Sequence, residues 1–214
     1  MKQNSKLIEI SKIMDHIFLS GVYPLDDNDH IIKDLNIKYI LCCVDKKYVA
    51  DIHNKIMLDN PDITILYLPY NDDIYQNLWM PNKDLIQITS YMTNNTDHNK
   101  LSQQMNLYQN KPMIEIGYHF IDLVVSDKQN ILIHCMAGVS RSVSLVIYYL
   151  MKKYHMTFDK AFETVRNIRI ISNPNESFKA QLIEYGIKRD AFSAPDADMV
   201  IKRLKTGSDI GPIK

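Results

Sequence analysis

An α/β fold, with a mostly parallel central sheet flanked by helices, is what this sequence predicts. Three observations carry the prediction. Short apolar runs at 17–20, 38–44, 63–68 and 130–134 read as strands, and the one at 38–44 shows little polar alternation, as a strand buried on both faces does. Between them lie segments whose apolar residues recur at helical spacing, the pattern that builds parallel sheets. A length of 214 residues, 46% hydrophobic and 23% charged, suits a single domain with a sizeable core.

Taken in order, residues 5–14 place Leu7, Ile10 and Met14 on one helical face, so a short helix is expected before the first strand. A helix at 29–35 leads to the strand at 38–44, and another near 49–58 precedes the strand at 63–68. Met113, Gly117, Phe120, Ile121 and Val124 define a helix over 113–125 that leads into the strand at 130–134. Val143, Val146, Ile147, Leu150, Met151 and Tyr154 mark the next helix, and Phe158, Ala161, Phe162, Val165 and Ile168 the one after it. Asn175 reads as the N-cap of a last helix whose buried stripe is Phe178, Leu182 and Tyr185.

The chemistry concentrates in His134-Cys135-Met136-Ala137-Gly138-Val139-Ser140-Arg141-Ser142, which joins a strand end to a helix start. Backbone N–H groups at a helix N-terminus have no helical partner, and the helix dipole adds partial positive charge, so residues 136–141 form a natural cradle for a phosphate dianion. The same donors stabilise a thiolate, the nucleophilic form of cysteine. Arg141 offers a planar fork that matches two phosphate oxygens. Gly138 permits tight curvature. Ser142 is placed to donate a hydroxyl hydrogen bond to the sulfur of Cys135. Cys42 and Cys43, by contrast, fit small buried hydrophobes.

His134 to Ser142 resembles the signature of the cysteine-dependent protein tyrosine phosphatases, and residues 137–142 resemble the dual-specificity branch in particular. The resemblance covers about residues 13–187 and implies a phosphatase of phosphoproteins that works through a cysteinyl-phosphate intermediate. It implies that Cys135 is the nucleophile, that Arg141 and the loop N–H groups bind the phosphate, and that Ser142 assists departure of the thiolate. The family carries its general acid three residues after a proline that follows a strand. That position is Asp72, after Pro69, with Asp73 as the rival. The run from Ser172 to Leu182 resembles the segment behind the phosphate loop, with Asn175, Phe178 and Gln181 at matching positions. Asn175 is read as a support for the loop and His134 as a hydrogen-bonding brace for it. No metal or organic cofactor is required, and the other histidines show no metal-ligand spacing.

One departure matters: 63 positions separate Asp72 from Cys135 (135 − 72), roughly twice the separation the resemblance leads one to expect. The catalytic domain is therefore read as 1–187 with an insertion at 78–111, followed by a C-terminal extension at 188–214. The insertion is expected to hold helices at 83–92 and 101–108 around a polar break at 93–100. A solvated surface excursion is preferred to a lid, dimer contact or substrate dock.

With 25 basic and 25 acidic residues the formal charge is zero, which offers no global field to nucleic acid or an anionic membrane. Three cysteines do not make a secreted disulfide framework, and the N-terminal segment lacks the apolar core of a signal peptide. A reducing, cytoplasmic location is expected, and nuclear or virion placement fits the same composition. A homodimer through the N-terminal helix is compatible with the sequence. Uncharged Met136, Ala137 and Val139 favour phosphoprotein substrates over phosphoinositides or RNA 5′-phosphates, which would select extra cations in the loop. A phosphoprotein-binding adaptor without turnover is the alternative from another class.

Overall fold

The computed structural model describes residues 9–27, 30–91 and 96–192. Among them are six strands, β1 (Ser11–Met14), β2 (Ile17–Ser20), β3 (Ile37–Cys42), β4 (Thr64–Tyr67), β5 (Gln87–Ser90) and β6 (Asn130–His134), in one sheet of order β1-β2-β6-β3-β4-β5. β2, β6, β3 and β4 run parallel, and β1 and β5 pair antiparallel at the two edges. The helices are α1 (Tyr23–Asp27), α2 (Ile31–Asp34), α3 (Ala50–Asp59), α4 (Thr96–Asn106), α5 (Met113–Ser126), α6 (Arg141–Lys153), α7 (Phe158–Ile168) and α8 (Glu176–Phe192). The α/β expectation, with its parallel sheet flanked by helices, therefore holds.

The central strands are apolar because most of their residues are shielded from water on both faces. β4 is buried along its whole length, and β3 and β6 nearly so. Helix α6 is buried over ten consecutive positions from Ser142 to Met151, and it carries the loop behind β6 into the middle of the core. The parallel register aligns Ser20, His134, Cys42 and Tyr67 in one row across β2, β6, β3 and β4, at the carboxyl ends where such folds place their ligands.

Two expected helices are strands instead. The described part of 5–14 forms β1, whose burial alternates between Ser11, Lys12 and Ile13. A two-residue turn at Asp15-His16 folds it back on β2. His16 takes a left-handed φ of 66° there, and its Nδ1 hydrogen-bonds Asn130 Oδ1 at 2.8 Å. The gain of a sheet edge outweighs the helical spacing of Ile10 and Met14, while Leu7 lies outside the described residues. The expected helix at 83–92 is replaced by β5, because Ile88 and Thr89 present a β-branched run that completes the free edge of β4. Helix α4 starts at Thr96, inside the expected polar break.

The described residues of 78–111 are thus a built part of the domain and not a solvated excursion. Leu78, Leu101 and Met105 are buried, and Trp79 stacks on Tyr185 with ring centroids 5.3 Å apart while meeting Tyr148 edge-on. At the other end of the chain, α8 continues past 187 to Phe192, and the rest of the expected extension lies outside the described residues. No helix of the described residues is long and apolar enough to cross a membrane.

Candidate active site

The loop from Cys135 to Ser140 is shaped by what holds its carbonyls. Val22 N donates to Met136 O (2.9 Å), Arg169 Nη2 to Ala137 O (3.2 Å), Arg169 Nε to Gly138 O (2.7 Å) and Asn173 N to Val139 O (2.8 Å). Four consecutive carbonyls are therefore turned outward, which leaves the N–H groups to converge on the opposite side. One of them, Gly138 N, points at Cys135 Sγ from 3.3 Å. Such a concavity of donors at a helix start is an anion site.

Gly138 is required twice over. Its φ is 65°, and a Cβ there would lie 2.4 Å from the carbonyl carbon of Ser20. Gly21 answers from the other side, where a Cβ would stand 2.7 Å from Met136 O. The end of β2 is thus pressed directly on the loop.

Cys135 is 1% exposed, and Ser142 Oγ donates to its sulfur at 3.2 Å. Arg141 Nε stands 3.5 Å from Asp72 Oδ2, an ion-pair contact without a hydrogen bond, and Nη1 donates to Tyr70 O at 3.4 Å, so the fork keeps donors for a ligand. Asp72 is tied to the loop by more than charge. Its Oδ1 accepts from Ser140 Oγ (2.6 Å) and from Asn175 Nδ2 (2.9 Å), and Ser140 Oγ accepts in turn from Asn175 N (3.1 Å). Asn175 also caps α8, its Oδ1 accepting from Phe178 N at 2.9 Å. Asp73 faces elsewhere: its Oδ1 accepts from Tyr75 N and Gln76 N, both at 2.8 Å, and closes a turn. Gln181 pins the return of that turn through Leu78 N and Gln76 O.

Every site residue expected from the sequence, namely Asp72, His134, Cys135, the run 136–140, Arg141, Ser142 and Asn175, is brought to this one place. Ser140 does more than was expected, since its side chain joins the loop to Asp72. Two supports were missed. Arg169 is fully buried, and it also reaches Glu9 O and Ser11 Oγ. The available signal was an arginine set among Ile168, Ile170 and Ile171. The other is the partner of His134.

His134 Nε2 lies 3.0 Å from His53 Nε2, and His53 Nδ1 lies 2.8 Å from Tyr67 Oη, all buried. His134 Nδ1 faces Cys135 O at 3.3 Å and so must donate. Its Nε2 then accepts, His53 Nε2 donates, and the Tyr67 hydroxyl donates to His53 Nδ1. Burial pushes His53 down to about 2 and His134 down to about 4, with the proximity of His134 adding to the shift of His53, so both rings are neutral. Cys42 Sγ, pushed up to about 12 by burial, adjoins this pair. The absence of metal-ligand spacing in the sequence does not extend to space: these three side chains place ligand atoms within 4.8 Å of one another.

Residues 18–188 match the family model described as dual specificity phosphatase, catalytic domain. A protein of Acanthamoeba polyphaga mimivirus named as a tyrosine-protein phosphatase is 51% identical over 207 residues, covering 97% of this chain and 98% of its own length. Dual specificity protein phosphatase 1B of Arabidopsis thaliana is 32% identical over 145 residues, 64% of this chain and 74% of its own. Among solved structures, a human tyrosine phosphatase-like serine/threonine/tyrosine-interacting protein superposes with a TM-score of 0.59 over 86% of this chain and 98% of its own, at 22% identity. The chain belongs to the dual specificity phosphatase family.

Proposed function

From that membership we propose a cysteine-dependent phosphatase that hydrolyses phosphotyrosine and phosphoserine or phosphothreonine in proteins, with Cys135, Arg141, Asp72 and Ser142 as its working groups. The observation that carries the assignment of roles is the convergence of the Cys135 thiol, the Arg141 fork and the Asp72 carboxylate on one donor-lined concavity.

In the first step Cys135 Sγ attacks phosphorus in line, and the bond to the side-chain oxygen breaks as Asp72 gives that oxygen its proton. Arg141 and the N–H groups of 136–141 hold the three equatorial oxygens over which the charge is spread in the transition state. Water then attacks the cysteinyl phosphate and passes a proton to Asp72. Sulfur leaves as thiolate, stabilised by the Ser142 hydroxyl 3.2 Å away. His134 braces the loop, and Asn175 holds both the loop, through Ser140, and the Asp72 carboxyl in place.

Uncharged side chains at Met136, Ala137 and Val139 support protein substrates over polyanionic lipids or RNA ends. A thiol nucleophile and three free cysteines support a reducing compartment. The catalytic unit is proposed as 1–187, with 78–111 as its insertion.

The test is phosphate release by wild type and Cys135→Ser from a small aryl phosphate, then from matched phosphotyrosine, phosphothreonine and phosphoinositide substrates. Cysteine-dependent turnover of both phosphopeptides, with little on the lipid, is expected. Phosphopeptide binding without turnover on any substrate would overturn the reading in favour of an adaptor.

A further inference from the structure

Cys42, His53 and His134 come from three elements, are each 0% exposed, and place their ligand atoms within 4.8 Å of one another. Cys42 and His134 are register partners on neighbouring strands, and His53 reaches them from α3. We propose that they form a binding site for one cuprous ion, held by Cys42 Sγ and by Nε2 of His53 and of His134.

The two Nε2 atoms face each other across 3.0 Å with the rings nearly perpendicular, and a small turn of each ring opens that interval so that one ion lies about 2 Å from both nitrogens. Each ring already has a partner for its other nitrogen: Tyr67 Oη for His53 and Cys135 O for His134. Ligating histidines are organised in this way, the second nitrogen fixing the tautomer and the orientation of the ring. Binding moves the His53 proton from Nε2 to Nδ1, where Tyr67 Oη accepts it, and releases the Cys42 thiol proton to solvent.

Charge and coordination number select the ion. At a fully buried site, a net charge is expensive. Cuprous ion with one thiolate and two neutral imidazoles sums to zero, whereas zinc leaves an unbalanced positive charge. Zinc also takes four ligands, and this set offers three. A trigonal set of two histidines and one cysteine is a copper geometry, and the thiolate favours the monovalent state.

The experiment equilibrates the full chain anaerobically with cuprous ion buffered by bathocuproine disulfonate, and reads copper per chain. Because the readout is bound metal, the result is independent of whether the chain is a phosphatase. Wild type and Cys135→Ser are expected to bind one copper each, Cys42→Ser and His53→Gln none, and Tyr67→Phe to bind about tenfold more weakly. If Cys42→Ser does not fold, as judged by circular dichroism, His53→Gln carries the test by itself. Loss of copper in Cys135→Ser would place the ion on the nucleophile and overturn the proposal. So would retention in folded His53→Gln, no binding by wild type, or stoichiometric uptake of zinc in place of copper.

Discussion

The loop at 135–142 and the segment at 78–111 lie on the same domain and are held in opposite ways. The loop is gripped by single atoms from distant parts of the chain, Val22, Arg169, Asn173 and Asn175, with its carbonyls individually assigned. The segment is held by area: a strand added to an edge, two buried side chains on α4, and the ring of Trp79 between Tyr148 and Tyr185. Directional bonds fix positions to a fraction of an ångström, as chemistry at phosphorus requires. Buried area fixes a fold while tolerating small shifts. Substitutions in the loop should therefore reduce kcat with modest loss of stability, and substitutions in the segment should do the reverse.

The largest effect belongs to Cys135→Ser, which removes the nucleophile. Phosphate release should fall to the uncatalysed level while inorganic phosphate still protects the protein from thermal unfolding. Asp72→Ala should come next, lowering kcat by about 10²–10⁴-fold with little change in KM. Asp73→Ala should change kcat less than about threefold, since its carboxylate closes a turn and does not face the loop. Equal losses in the two variants would undo the distinction drawn between them. Gly138→Ala tests directional holding itself. Its Cβ would strike the backbone of Ser20 and Gly21, and steady-state kinetics should show at least about a hundredfold drop in kcat.

On the other side of the comparison, Trp79→Ala should cost about 2 kcal/mol in denaturant unfolding and leave kcat at 25 °C within about twofold. A large kcat loss in that folded variant would show that the segment feeds the chemistry directly. The smallest effect concerns the histidine pair under the loop. Well above pH 6.5 both rings are neutral, folded or unfolded. Below it the unfolded chain takes up protons that the buried rings refuse until about pH 4, so stability falls as pH drops. Denaturation midpoints between pH 6.5 and 5 should show this slope, to which the lowered values of His98 and His119 also contribute, and His53→Gln should make it shallower by the share of one ring. An unchanged slope would mean that the pair is not buried neutral.

By itself the sequence determined the phosphate loop, the strand before it, the helix after it, and the α/β class. Those features rest on covalent neighbours: nine consecutive residues carry the nucleophile, the fork and the glycine, and period and composition mark the flanking elements. Asp72 was also legible, as one of two adjacent carboxylates after Pro69, but only the fold gave them different neighbours, Ser140 and Asn175 for one and a local turn for the other. Tertiary structure alone decided that 83–92 contributes a strand, because the free edge of β4 is not written in those residues. It alone placed Arg169 behind the loop and His53 against His134, 81 residues away. Each of these depends on a contact between parts of the chain far apart in sequence, and a buried polar side chain discloses its role only when the atom it must satisfy is known.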